Sequence, residues 1–259
     1  MNHKKYKNII IINSGSSLGT SLAGILAEAG HRLLLHSYDD GVIKLSEDIA
    51  KKHRVQVTYS NADLSEPQEI HKMAAHAEEK LGSIDGVVFL LHMEYNAPIE
   101  EFPVDKWQLI FQHNVTNTFL VIKTLWPAMK KQRFGRFVHI TSPYSLTASE
   151  YKAAYVASCH AISGLTKTLA LEGGKYGITC NAIAPGKVKT PEVEEEISDH
   201  KLAHNVSENQ IIKQIILKHQ PDKAFVELSN IGVCTLYLLS EYGKSMNGVT
   251  LPLDGGWTI

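Results

Sequence analysis

The 259-residue sequence predicts an α/β fold, doubly wound around one parallel sheet, on three observations. Short apolar, β-branched runs alternate strictly with longer stretches of helical period. The short runs are almost continuously apolar, as strands buried on both faces must be. No linker, low-complexity segment or internal repeat divides the chain, so one domain spans 1–259.

The elements follow in order. "NIIII" (8–12) reads as a buried strand, and 16–29 as a helix closed by Gly30 in a left-handed cap position. "RLLLHS" is a strand, "GVIKLSEDIAKKH" a helix and "RVQVTYSNAD" a strand. "EPQEIHKMAAHAEEKLG" is a helix with proline in its first turn. "IDGVVFLLH" is a strand, and residues 104–132 form one long helix. "GRFVHITS" is a strand, 150–177 a helix and "ITCNAIAP" a strand. A polar helical insertion over 190–221 has the length of a lid over the cleft. "FVELSNIGVCTLYLLS" and "GVTLPLDGG" supply the last helix and strand. In such sheets ligands sit at the carboxyl ends of the strands, near the topological switch point.

Composition narrows the function. The formal net charge is -1, which calls for neither nucleic acid nor an anionic membrane as partner. The four-isoleucine run is too short for a signal peptide, and no segment has the length of a membrane span. Cys159, Cys180 and Cys234 lie far apart, which fits a reducing cytoplasm better than a disulfide framework. His200 and His204 have helical i, i+4 spacing, but without a third ligand nearby they read as a solvated face, and no metal is expected.

Several motifs carry a resemblance. "YVASCHAISGLTKTLALE" resembles the "YxxSKxxxxGLTKxLAxE" run of the short-chain dehydrogenase/reductase family, whose fold is of Rossmann type. "NAIAPGKVKTP" resembles its "PGxVxT" loop, and "NADLSE" the aspartate-containing turn that brackets adenine. "APIEEFPVDKW", "MKKQRFGR", "KHQPDKAFVELSNIG" and "LDGGWT" resemble its bacterial (R)-3-hydroxybutyrate dehydrogenase subgroup. The resemblance implies a homotetramer, a nicotinamide cofactor and a catalytic set of Asn, Ser, Tyr and Lys. Asn114, Ser142 and Tyr155 match the first three, and Cys159 stands in place of the lysine.

That last change strikes at the chemistry. A free phenol has a pKa of about 10, too high for a base at neutral pH. A lysine ammonium one helical turn away lowers it, and in the family also grips the cofactor ribose. Cysteine is neutral and short and does neither. General acid–base catalysis is worth about 10²–10⁴-fold, so a loss of that size is expected. Cys159 itself reads as a small packed residue without thiolate reactivity.

The cofactor motif is altered too. The family's "TGxxxGxG" falls on Ile12 to Gly19, so that Asn13 and Ser17 replace glycines, Gly15 sits out of step, and Leu18 and Gly19 close the motif. An alternative count takes Gly15 and Gly19 as the first two glycines and Ser21 as the third, at the cost of the spacing to Gly30. On either count a side chain at Ser17 presses on the space of the pyrophosphate, while the loop remains usable as a serine-rich helix cap. Phe89 to His92 replace Asn-Asn-Ala-Gly of the family; Phe89 and the leucines read as core, with His92 projecting toward the cofactor. Tyr38, Asp63, Leu64, Pro185, Gly186 and Val188 complete the implied cofactor set. Ser37 is no acidic ribose ligand and no arginine awaits a 2′-phosphate, so NAD is weakly favoured over NADP, with weak or lost binding.

The resemblance places the substrate carboxylate among Glu94, Tyr144, Lys152, Glu196, Lys187 and Trp257. Two of these, Glu94 and Glu196, are amides in the subgroup, and acids there repel a carboxylate. The pocket then suits a neutral or cationic ligand, or the acids pair with Lys152 and Lys187 and fill it; the second is favoured. Two functional readings follow. The first is a binding or partner subunit inactive or nearly so as a dehydrogenase, assembled as a homotetramer or with an active relative. The alternative is an NAD(P)-dependent oxidoreductase acting on another secondary alcohol or ketone, with Tyr155 as acid/base.

Overall fold

Residues Ile9 to Ile12 of the first strand, β1 (Asn8–Ile12), are wholly buried, and the alternating side chains of that strand serve two separate cores. Ile10 and Ile12 join one cluster, Ile9 and Ile11 the other. In this computed structural model, which describes residues 6–90, 93–204 and 207–259, six further strands flank β1. They are β2 (Arg32–His36), β3 (Val57–Ser60), β4 (Gly86–Phe89), β5 (Gly135–Ile140), β6 (Ile178–Pro185) and β7 (Thr250–Leu253). All pair in parallel in the order β3-β2-β1-β4-β5-β6-β7. The winding reverses between β1 and β4, which opens a crevice at their carboxyl ends.

On one face pack α1 (Ser17–Glu28), α2 (Gly41–His53) and α9 (Leu228–Leu239). On the other pack α3 (Pro67–Leu81), α5 (Asn117–Gln132) and α6 (Ala153–Gly173). α4 (Val104–Phe111), α7 (Pro191–His204) and α8 (Glu208–Ile211) complete the helices. Gly30 has φ +84°, the left-handed cap expected of it.

Several expectations need correction. The long helix over 104–132 is interrupted by a wide π turn at Gln112–Thr116, between α4 and α5. The third strand starts only at Val57, because Arg54 ends α2 in a left-handed conformation and the chain must turn before it can pair. α6 begins at Ala153, after Tyr151 at φ 64°, and not at 150. The 190–221 insertion is helical but not merely polar, since Ile197, Ile211, Ile216 and Leu217 form a small buried cluster of their own. His92 and the side chains of His200 and His204 lie outside the described residues. Among the described residues, no helix is long and apolar enough to cross a membrane, and no group of three or more His, Cys, Asp or Glu is placed to hold a metal ion.

Candidate functional site

A cavity of about 490 Å³ opens at the carboxyl ends of the strands. Ser17 and Leu18 from the start of α1 meet Ser142 after β5, Tyr155 on α6, and Pro185 and Gly186 after β6 in its wall. The remaining wall includes Glu94, Tyr144, Lys152, Lys187, Glu196 and Trp257. Asn13, Gly15, Gly19, Tyr38, Asp63, Leu64, Asn114, Cys159 and Val188 do not line it.

The loop after β1 keeps its shape with altered residues. Asn13 takes φ 61°, the left-handed conformation that a glycine would supply, and its amide donates to Leu90 O at 3.0 Å. A Cβ on Gly19 would lie 2.7 Å from Ser14 Cα, so helix and strand meet there too closely for any side chain. Asn13 and Gly19 thus meet the backbone demands, a left-handed φ and a close approach, for which glycines serve in such loops. Ser16 caps α1, its Oγ accepting from Gly19 N at 3.1 Å, so the helix starts one residue later than expected. Gly15 lies against Ser37 and Asp39. Asp39 accepts from Ser37 Oγ at 2.6 Å and from Gly41 N at 2.8 Å, which holds its carboxylate beside the loop. Ser37 is no acid, but a carboxylate stands beside the loop two residues on.

Farther out, the Tyr38 hydroxyl lies 3.3 Å from the Asn117 amide, its ring edge-on to His36 and His113. Asp63 accepts from Ser65 N and Oγ at 2.8 and 2.7 Å, and Leu64 is fully buried. Phe89 is core, packed on Phe137 and His139. His139 is fully buried, and burial pushes its pKa down to about 3.

At the catalytic set, Asn114 sits in the π turn and is buried. Its side chain accepts from Met93 N at 2.8 Å and donates to Met93 O at 2.9 Å and Ser158 Oγ at 3.0 Å, pinning the segment after β4 to α6. Its carbonyl accepts from Thr118 Oγ1. The wide turn is what lets a mid-helix amide point sideways to these partners. Tyr155 is buried and hydrogen-bonded to Ser142. Burial first, then neighbouring Cys159 and Glu94, raise its pKa well above 10; the Ser142 bond opposes them and loses. Burial also lifts the Cys159 thiol to about 12, so it stays protonated and carries no positive charge.

The charged wall forms two ion pairs. Lys152 Nζ meets Glu94 at 2.8 Å, and Lys187 Nζ meets Glu196 at 3.3 Å. The first also places the Lys152 ammonium 5.9 Å from the Tyr155 ring centre. Two supporting residues were not foreseen. Gln220 is fully buried, accepts from Lys187 N at 2.5 Å and donates to Ala224 O at 2.7 Å, so it braces the loop after β6. His219 stacks on Trp257 at 5.3 Å, which ties the end of the insertion to the segment after β7. A buried Gln beside a Pro-Gly loop carries no periodic signal, so only the fold reveals it.

Comparison with known proteins accounts for this arrangement. A family model described as enoyl-(acyl carrier protein) reductase matches residues 12–258. A D-beta-hydroxybutyrate dehydrogenase of Rhizobium meliloti is 36% identical over 254 residues, covering 97% of this chain and 98% of the relative. This chain belongs to the short-chain dehydrogenase/reductase family. A second D-beta-hydroxybutyrate dehydrogenase, from Cupriavidus necator, is 32% identical over 251 residues and 97% of each chain. Among solved structures, levodione reductase superposes with a TM-score of 0.86 at 26% identity, over 96% of both chains. L-Sorbose reductase from Gluconobacter frateurii gives 0.91 at 22% identity, over 100% of this chain and 99% of that one, a likeness of fold.

Two residues bear on how a dinucleotide would be held at the cavity. Cys159 is buried behind the cavity wall and offers a weak S–H donor and no charge. The Ser17 side chain also stands in the wall where α1 begins.

Proposed function

We propose that this short-chain dehydrogenase/reductase has kept the fold and a ligand cavity but is inactive, or nearly so, as a dehydrogenase, and serves as a binding or partner subunit. The observation that carries this is the Tyr155–Cys159 pair. A phenol held well above pKa 10 beside an uncharged thiol cannot take an alcohol proton near pH 7. An active oxidoreductase would need another cation at Tyr155. Lys152 is near the ring, yet Glu94 neutralises it and the phenol remains raised.

Exposed Val104, Trp107 and Leu109 on α4 and Phe119 on α5 support a homotetramer, or a mixed assembly with an active relative. The free thiols of Cys159, Cys180 and Cys234 suit a cytoplasmic, reducing compartment. The insertion at 190–221, which contributes Glu196 to the wall, acts as the lid. If a cofactor binds at all it is NAD, weakly, with Asp39 as the acid nearest the loop.

The test is cofactor reduction with (R)-3-hydroxybutyrate by the native protein, by Cys159→Lys, and by Cys159→Lys combined with Asn13→Gly, Ser17→Gly, Glu94→Gln and Glu196→Gln. The native protein and the single variant should show no turnover, because positioning of both reactants is damaged as well as the base. Robust turnover by the native protein would overturn the proposal. Robust turnover by the single variant would reduce the damage to one residue.

A further inference from the structure

The cavity wall carries two carboxylates and two ammonium groups, which sum to zero charge. A lone carboxylate entering it meets as many like charges as opposite ones. Both ion pairs are partly exposed, with side-chain exposures of 19% and 47% for Lys152 and Glu94 and 34% and 41% for Lys187 and Glu196. Such pairs contribute little net stability, so a ligand that offers matching charges can exchange with them.

Aromatic rings form the rest of the recognition surface. Tyr144 stands perpendicular to Tyr155, at 6.2 Å and 82°, and to Trp257, at 5.5 Å and 83°. All three line the cavity. Rings set at right angles turn their faces around a corner, the arrangement that surrounds a bulky cation lacking N–H donors. His219 covers one face of Trp257 and fixes the ring. A cation already sits near this corner, since the Lys152 ammonium lies 5.9 Å from the Tyr155 ring centre with Glu94 as its counter-ion.

We propose that the cavity binds a small zwitterion, with its methylated ammonium against Tyr144 and Trp257, balanced by Glu94 and Glu196, and its carboxylate on Lys152 or Lys187. This deepens the proposed function and rests on reading the cavity as a binding site.

Calorimetry on the full chain compares γ-butyrobetaine, butyrate, tetramethylammonium and γ-aminobutyrate as probes. γ-Butyrobetaine should bind at least tenfold more tightly than each of the others. Trp257→Leu should weaken it about tenfold, while Trp257→Phe, with an unchanged melting temperature as the check on folding, should keep most of the affinity. Glu94→Gln with Glu196→Gln should reverse the preference toward butyrate. Butyrate binding as tightly as the zwitterion, or no binding of γ-butyrobetaine, would overturn the proposal. Equal binding of γ-aminobutyrate would overturn the methylated class. Turnover of a hydroxylated zwitterion with NAD would instead sink the inactive-dehydrogenase reading and leave this one standing.

Discussion

The loop after β1 and the Tyr155–Cys159 turn of α6 each depart from the motif they resemble, yet they fare differently. At the loop, Asn13 replaces a glycine and adopts the same left-handed φ of 61°. At α6, a neutral thiol stands where the resembling motif has a lysine, and burial first, then Cys159 and Glu94, raise the Tyr155 phenol well above 10. A position whose task is backbone shape tolerates a substitute that can reach the same dihedrals. A position whose task is charge has no neutral substitute. Gly19 marks the limit of the first rule, for there the requirement is empty space and no side chain meets it.

Three experiments would break or sharpen this contrast. The largest effect is expected in alkali. The Cys159 pKa is raised from an ordinary 9.0 to about 12, so the unfolded chain loses its proton first. Stability from the protonated thiol is therefore complete below pH 9 and lost as pH rises toward 12. The slope is about 1.4 kcal/mol per pH unit, or roughly 4 kcal/mol in all. Burial lifts the Cys180 thiol to about 12 as well, so urea unfolding from pH 8 to 10.5 should show at least twice this slope in the native protein, and Cys159→Ser should reduce it by about one proton's worth. An unchanged slope in the serine variant would mean that the thiol is not the buried neutral group described.

Next, Gly19→Ala drives a Cβ to 2.7 Å from Ser14 Cα and 2.8 Å from Asn13 O, both backbone atoms that yield only if the loop moves. A loss of about 2–3 kcal/mol is expected in denaturant titrations. A neutral result would show the loop to be far softer than its contacts indicate. Smallest is the pair at Asn13. Asn13→Gly should leave stability within a few tenths of a kcal/mol, whereas Asn13→Ala should cost about 1–2 kcal/mol for the left-handed backbone. Equal melting curves for the two would remove the argument from shape.

Much of this was legible in advance, for reasons that differ by residue. The strands announced themselves because burial on both faces forces runs such as "NIIII". Ser17, Leu18, Ser142, Tyr155, Pro185 and Gly186 share one cavity because a parallel sheet brings all its carboxyl ends to one edge. The pairing of Glu94 with Lys152 and Glu196 with Lys187 was one of two open readings, decided by distances that no sequence contains. Asp39 carried no signal in the sequence, because its place beside the loop after β1 depends on its bond to Ser37. The two counts of the glycine motif, one through Asn13 and one through Gly15 and Ser21, differ in a backbone dihedral, 61° at Asn13, that no sequence contains.

The π turn at Gln112–Thr116 has a consequence for what evolution can do with this chain. It accommodates one residue more than a regular α-turn, so α4 and α5 are joined out of phase by roughly the 100° that one residue contributes. Trp107 and Leu109 can therefore face outward while Val121, Ile122 and Leu125 face the sheet, although no strict helical period links the two sets. A one-residue deletion in this segment would not simply shorten a helix. It would rotate the α4 surface against the core, withdraw the Asn114 amide from Met93 and Ser158, and re-aim the exposed aromatic face in a single step. The length of this stretch is thereby coupled to both the cleft and the outer surface, which makes it the place where an insertion or deletion is least free to occur.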